Sequence, residues 1–413
     1  VRIAVVGGGV SGLVCAFLLA RAHDVVLYEK EPRLGGHTNT VLVRHEDQTW
    51  SVDTGFIVFN TKNYPKLSWL LDLLGVESRP TTMSFSVRDD DADFEYGGSS
   101  IGGLVGAPKN LVNPRWWSVV RGVATLGRHG KSLLAEVGEV ATVSDLVRSG
   151  RFSRGFLDDY LIPMAGAIWS APRDSVLAFP AKFLLRFFDN HGMLDLRERP
   201  QWRTIVGGSQ RYIDAMMGVL ARSARVAQDV RSIRRTPAGV VVRTATTEET
   251  FDEVVLATHS DQALAILADA SDGEREILSL MPYQPNEAVL HTDASALPRR
   301  RRCWAAWNYR VARDPRRPVA VTYNMSILQG LGTTRPICVT LNDTTRIDPE
   351  CVIARFQYHH PIYTLEGDRA RTRWQEISGV QHTHYCGAYW GNGFHEDGVV
   401  SALRVCERLG VVP

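Results

Sequence analysis

The chain has 413 residues, 44% hydrophobic and 22% charged, a balance that excludes intrinsic disorder and leaves room for two or three domains. Its 47 basic and 45 acidic residues leave a net charge of +2, which gives no footing for nucleic-acid binding. No apolar run reaches the roughly eighteen residues of a membrane span and no leader-like segment is evident, and the six scattered cysteines form no CxxC pair, so the expectation is a cytoplasmic protein with free thiols and no metal site.

The first thirty residues read strand, glycine turn, helix, strand. Ile3 to Val6 is a short β-branched run, Gly7, Gly9 and Gly12 fill G-x-G-x-x-G, Leu13 to Ala20 continues as an apolar helix, and Val25 to Tyr28 ends on Glu29. Gly7 permits a tight turn, Gly9 lets a pyrophosphate approach the backbone, and Gly12 lets helix and strand pack closely. The helix start offers free N–H groups and partial positive charge to phosphate. Glu29, 22 residues after Gly7, can accept from a ribose hydroxyl. This context predicts a dinucleotide site.

Next come "EPRLGGHTNTV", which holds Arg33, Gly35 and Gly36 as R-x-G-G, and "WSVDTGFIVFN", with Asp53, Thr54 and Gly55. A first insertion contains "NPRWWSVVRGVATLGRHGKSLL". Trp116, Val119, Val120, Val123 and Leu126 recur there at helical spacing, and Arg115, Arg121, Arg128, His129 and Lys131 lie mostly elsewhere. A lid helix packed on the core and a basic amphipathic helix resting on a bilayer both fit that pattern. "WRTIVGGSQRYIDAMMGVL" follows, then a strand from Val230 and a returning strand that ends at Thr258 and His259.

The second insertion is strand-rich, with "AVLHTD", "PVAVTYNM", "ICVTLN" and "VIARFQYHH", and it is aromatic, which suits an apolar substrate. His359 and His360 are neighbours in a strand, so at most one is expected to enter a cavity, with His360 as the candidate. His382 and His384 share a face without a third ligand nearby in sequence, so no metal site is expected. Lys182 is the lysine nearest a plausible cavity segment. Tyr389 and Trp390 follow the last strand, and His395, Glu396 and Asp397 precede an apolar periodic run. Those acids read either as ordinary capping, favoured for Asp397, or as groups facing a cofactor or substrate. The candidate catalytic residues are His360, Tyr389 and Glu396.

Taken together these segments resemble FAD-dependent amine oxidases and phytoene-desaturase-like flavoproteins. More narrowly, "DTGFIVFN", "FFDNHGML", "HHPIYT" and "CGAYWGNGFHEDG" resemble a bacterial branch of flavoproteins encoded beside cyclopropane fatty-acyl synthases. The resemblance implies a non-covalent FAD. Gly7, Gly9, Gly12, Glu29, Arg33, Gly35, Gly36 and Thr54 would lie along it, and Val230 would meet the adenine through its backbone. Gly387 stands at the family's strand end, followed by Ala388 where relatives commonly carry an acid. The last helix would open near Gly398 and point the Val399 and Val400 amides at the flavin pyrimidine ring.

The fold implied is α/β, a Rossmann-type FAD-binding domain interleaved with a mixed α+β substrate domain. Residues 1–75, 199–268 and 370–413 would form the first, and 76–198 and 269–369 the second. The function implied is an FAD-dependent oxidoreductase taking a hydride from an apolar, fatty-acyl lipid. A flavin-dependent double-bond isomerase, an ordinary amine oxidase and an accessory subunit of a fatty-acyl-modifying methyltransferase are the alternatives. Partners would be the lipid-like substrate, a membrane surface touched peripherally and such a modifying enzyme.

Overall fold

The computed structural model describes residues 1–194, 200–311 and 319–412; the segment boundary expected at residue 199 lies outside them. Three apolar runs, buried on both faces, form the centre of a parallel five-stranded sheet. Its order is Ala224–Arg225, Asp24–Tyr28, Arg2–Val6, Glu253–Leu256 and Thr383–Tyr385. The first helix, Val10–Leu19, covers one face, with Ser11 through Leu19 all buried. The last helix, His395–Arg408, packs against it, and Cys406 Sγ lies 3.9 Å from Cys15 Sγ at their crossing. A side sheet of Val230–Thr236, Gly239–Thr244 and Glu248–Phe251 joins the same core. Residues 272–281, expected with the second domain, pack here instead, because Ile277, Leu278 and Met281 are buried in this core.

The four strand-like runs of the second insertion, a fifth strand of it at Trp307–Arg310 and two strands of the first build a seven-stranded sheet. Its order is Val352–Pro361, Tyr283–His291, Cys338–Leu341, Ala320–Asn324, Trp307–Arg310, Phe85–Asp89 and Phe94–Gly97. All pairs are antiparallel except Trp307–Arg310 with Phe85–Asp89. A helical layer closes over one side. Its longest member, Pro114–Glu136, starts on Asn113, whose side chain accepts from the Arg115 amide. Trp116, Val119, Leu126 and Leu133 face inward, as the spacing predicted. Arg115 anchors the helix by a bidentate pair to buried Asp159 (2.7 and 2.6 Å) and a contact with Asp89.

Two glycines fix how the first strand meets the first helix. Gly7 turns at φ +109°, and a Cβ there would lie 2.8 Å from the Ala257 carbonyl of the neighbouring strand. At Gly12 a Cβ would overlap the Gly7 carbonyl oxygen. Gly12→Ala should therefore force the helix off the strand and cost about 3 kcal/mol. Denaturant melts of the cofactor-free protein check this, and an unchanged midpoint refutes it.

Candidate active site

The glycine turn opens into a cavity of about 1450 Å³ that runs between the two sheets. At its nucleotide end it is lined by Gly7, Gly8, Gly9, Glu29, Arg33, Gly35, Gly36 and Val230. A Cβ built on Gly9 meets nothing within 4 Å, so this backbone faces open space as a pyrophosphate requires. The first intrahelical bond is donated by Leu13 to Gly9, which leaves the amides of Val10 and Ser11 free at the helix start. Glu29 is buried and already accepts from the Gly8 amide (2.7 Å) and the Glu31 amide (2.8 Å). It braces the turn and still borders the cavity, where a carboxylate with four acceptor sites can take a further donor. Arg33 donates to the carbonyls of Thr38 and Gly36, tying the R-x-G-G turn to itself. These groups fit FAD.

Thr54 does not face the cavity. Its hydroxyl donates to the Asn39 carbonyl, lies 2.7 Å from the Tyr358 hydroxyl and accepts from Asn39 Nδ2. Gly55, Phe56, Ile57 and Val58 supply the lining instead. The neighbouring Asp53 is a buried hub. It accepts from the Thr40 hydroxyl, the Ser209 amide and hydroxyl, and Gln329 Nε2. Burial pushes its pKa up to about 6. The three residues "DTG" thus connect the early hairpin, the Gly207–Gly208 turn and the second sheet.

The last helix begins earlier than the sequence suggested. It spans His395–Arg408, and Gly398 donates the first intrahelical bond to Phe394. The amides of His395 and Glu396 are therefore the free ones, while Val399 and Val400 sit inside the hydrogen-bonded helix and do not line the cavity. The cause is Asp397, whose carboxylate accepts from the Phe394 amide (3.0 Å) and caps the helix there. Gly398 has another use. A Cβ on it would lie 2.7 Å from Val10 Cγ1 and 2.9 Å from Ser11 Oγ, so its absence lets the two helix starts converge.

Glu396 is not at the site either. Its two oxygens accept the Lys66 amide (3.0 Å) and the Leu67 amide (2.9 Å), capping the helix Pro65–Leu73 from a distance in sequence of some 330 residues. Gly387 and Tyr389 do line the cavity, and the Gly387 amide donates to Ser401 on the last helix. Lys182 pairs with Glu139 and takes no part.

Both His359 and His360 border the cavity, contrary to the expectation of one, because the strand Val352–Pro361 ends in the cleft and both its faces meet it. They join His37, which the sequence had not marked, and His259, which it had marked only as a strand end. His37 stacks on Tyr358 at 5.0 Å and lies 5.3 Å from His360; His259 stacks on Tyr283 at 4.0 Å and lies 6.1 Å from His359. Rings this far apart are not a metal set, and no metal-ligating group of three or more occurs among the described residues. A fifth histidine, His395, stacks on Phe56 at 3.7 Å, and its Nε2 hydrogen-bonds the Thr38 hydroxyl (2.9 Å), which is bonded in turn to Tyr212.

The tautomer of His360 follows from a chain of donors. The Glu287 amide donates to Asn342 Oδ1, so Asn342 Nδ2 donates to Asn286 Oδ1, and Asn286 Nδ2 donates to His360 Nδ1. His360 therefore carries its proton on Nε2. Burial and the other histidines hold its pKa down to about 3, as they do for His259, with His37 near 4. Burial likewise lowers His395 to about 3. His37, His259, His360 and His395 are therefore neutral hydrogen-bonding groups at neutral pH.

Comparisons with known proteins agree with this geometry. The family model for flavin containing amine oxidoreductases matches residues 10–300. An L-amino-acid oxidase of Siganus canaliculatus is 24% identical over 316 residues, 71% of this chain and 57% of that protein. The chain thus spans little more than half the length of that relative. A CLA-producing fatty acid isomerase from P. acnes shares the fold with a TM-score of 0.71 at 18% identity, over 98% of both chains. Cyclohexylamine oxidase from Brevibacterium oxydans IH-35A gives 0.68 at 13% identity, over 99% of both.

Gly9→Val should leave the fold intact, since a Cβ there has no protein atom within 4 Å, and should abolish FAD binding. Flavin absorbance after purification measures this, and full occupancy would refute it. The histidines also set an acid limit. Their folded pKa values, about 3 to 4, lie below the ordinary 6.5, so unfolding takes up protons as pH falls from 6.5. Their stabilising contribution is complete above 6.5 and is lost toward pH 4. Asp53 and Asp397, both raised to about 6, act oppositely between about 4 and 6 but are outnumbered. Tm should fall from pH 7 to 5, with a shallower slope for His360→Asn; a Tm that rises on acidification contradicts this.

Proposed function

Because the chain belongs to the family of flavin containing amine oxidoreductases, with FAD as cofactor, we propose that it removes a hydride from an apolar, fatty-acyl substrate. One observation carries this reading. The four segments that resemble the flavoproteins encoded beside cyclopropane synthases all reach the same cavity: "DTGFIVFN" through Phe56 and Val58, "FFDNHGML" through Phe187 and Met193, "HHPIYT" through His360 and Tyr363, and "CGAYWGNGFHEDG" through Tyr389 and Phe394.

Chemistry of the walls supports an apolar occupant. The lining carboxylates, Glu29, Glu31 and Asp229, stand at the nucleotide end with Lys30 and Arg33. Beyond them the described lining is mostly aromatic and aliphatic, interspersed with histidines and uncharged polar groups such as Gln201, Gln357 and Asn392, and Arg355 is its charged group, itself paired to Glu287. An ammonium substrate would find no counter-charge there, whereas an acyl chain would bury apolar surface throughout.

FAD, when bound, supplies the hydride acceptor. The chain's own residues do the rest. Free amides of His395 and Glu396 at the last helix start stabilise negative charge nearby. Aromatic walls exclude water and hold a C–H bond in line. His360 offers its Nε2 proton as a donor, and His37 Nε2, buried and without a partner among the described residues, can accept a proton released beside it.

Anaerobic single-turnover mixing with candidate phospholipids and fatty acids, following flavin absorbance and product mass together, tests this. Flavin bleaching with loss of two hydrogens from the lipid is the expected result. An isomer of unchanged mass, formed only with FAD present, would replace oxidation by isomerisation. Rapid bleaching by a polyamine or amino acid, with no lipid turning over, would restore ordinary amine oxidation.

A further inference from the structure

Five of the fifteen large apolar side chains exposed among the described residues fall within 101–117. Ile101 and Val112 are each 84% exposed, Leu111 49%, Trp117 40% and Leu104 39%. They form one surface. Trp117 donates its indole N–H to the Leu111 carbonyl, Trp116 donates to the Leu104 carbonyl beneath it, and the two indoles touch edge to face at 4.9 Å. Concentration of this kind marks an interaction site, whereas single exposed apolar residues elsewhere need no explanation.

Two further features qualify the patch. First, Leu104 belongs both to the patch and to the cavity lining, and Val119, Val120 and Val123 of the helix Pro114–Glu136 line the cavity from the inner side. The apolar surface is therefore the cavity's outer lip. Second, the surroundings are basic. Arg121 lies one helical turn after Trp117, and the turn Arg301–Cys303 packs against Ile101–Val105. Arg121, Arg301 and Arg302 are exposed and make no ion pair among the described residues, although Arg301 lies over the Trp304 ring. The nearby acids are already engaged: Asp93 by Lys109 and Arg300, Glu95 by Arg300.

We propose that this patch docks on an anionic phospholipid surface, with Ile101, Leu111, Val112 and Trp117 entering the headgroup–acyl boundary and Arg121, Arg301 and Arg302 meeting the headgroups. Apolar insertion and basic flanks act together in interfacial binding. A second copy of the chain suits the surface less. A two-fold contact is self-complementary and would bring the same unpaired arginines together. Docking places the cavity's lip against the layer from which an acyl chain would enter. The two readings remain separable, since vesicle binding reports the first and turnover of detergent-dispersed lipid the second.

The test is flotation of the FAD-loaded protein with vesicles of phosphatidylcholine, with and without phosphatidylglycerol. Binding is expected to require phosphatidylglycerol and to weaken with salt. It should fall about tenfold or more in Ile101→Ser/Val112→Ser and in Arg301→Glu/Arg302→Glu. Unchanged flavin absorbance would show that these surface variants fold. Leu42→Ser, at a residue 71% exposed elsewhere, should bind as the parent does. Absence of vesicle binding, equal loss in Leu42→Ser, or a solution dimer that Ile101→Ser dissolves would each overturn the proposal.

Discussion

The close approach of the first and last helices at Gly398 is the constraint on which the rest of the site depends. Any side chain at that position would press on the Val10 and Ser11 side chains at the start of the first helix. With hydrogen there, the amides of Val10 and Ser11 and those of His395 and Glu396 become free near one another, although nearly the whole chain separates them. Two partial positive charges thus border one cavity, a placement suited to an electron-rich, phosphate-bearing cofactor. The dense run of glycines and aromatics near the end of the chain is explained by this meeting.

Around the cavity four acids share an unexpected task. Glu29 binds the amides of Gly8 and Glu31, Asp53 that of Ser209, Glu396 those of Lys66 and Leu67, and Asp397 that of Phe394. Each satisfies backbone donors that a turn or helix start would otherwise leave unpaired. The acids consequently fix loop positions. At the cavity's far end Arg355 is paired to Glu287, and His37, His259 and His360 are kept uncharged by burial. An apolar, neutral interior therefore follows from how the backbone is satisfied as well as from the aromatic walls.

The long insertion helix has one face for the lid that its sequence allowed and leaves the other exposed. Trp116, Val119 and Leu126 pack inward as a lid over the cavity, while Trp117 and Arg121 point away from the core. A 23-residue helix has circumference enough for both faces. Only the adjoining apolar residues of 101–112, brought alongside by a short turn, turn one exposed tryptophan into a surface.

The sequence by itself determined the local motifs. G-x-G-x-x-G between strand and helix, the acid at Glu29, R-x-G-G and the strand-like runs of the second insertion specify their elements through backbone freedom and local side-chain preference, which are properties of neighbouring residues. It also sufficed to identify the flavoprotein family, because those motifs recur in a fixed order. Tertiary structure alone decided where the side chains point. Thr54 turned to Asn39 and Tyr358, Glu396 to a helix over three hundred residues away, and His37 and His259 to a cluster with His359 and His360. Those outcomes depend on which distant amide or ring arrives within reach, and no local pattern encodes that. The start of the last helix was missed for the same kind of reason: Gly398 reads as a boundary in one dimension, but its hydrogen serves a contact with Val10 and Ser11 in three.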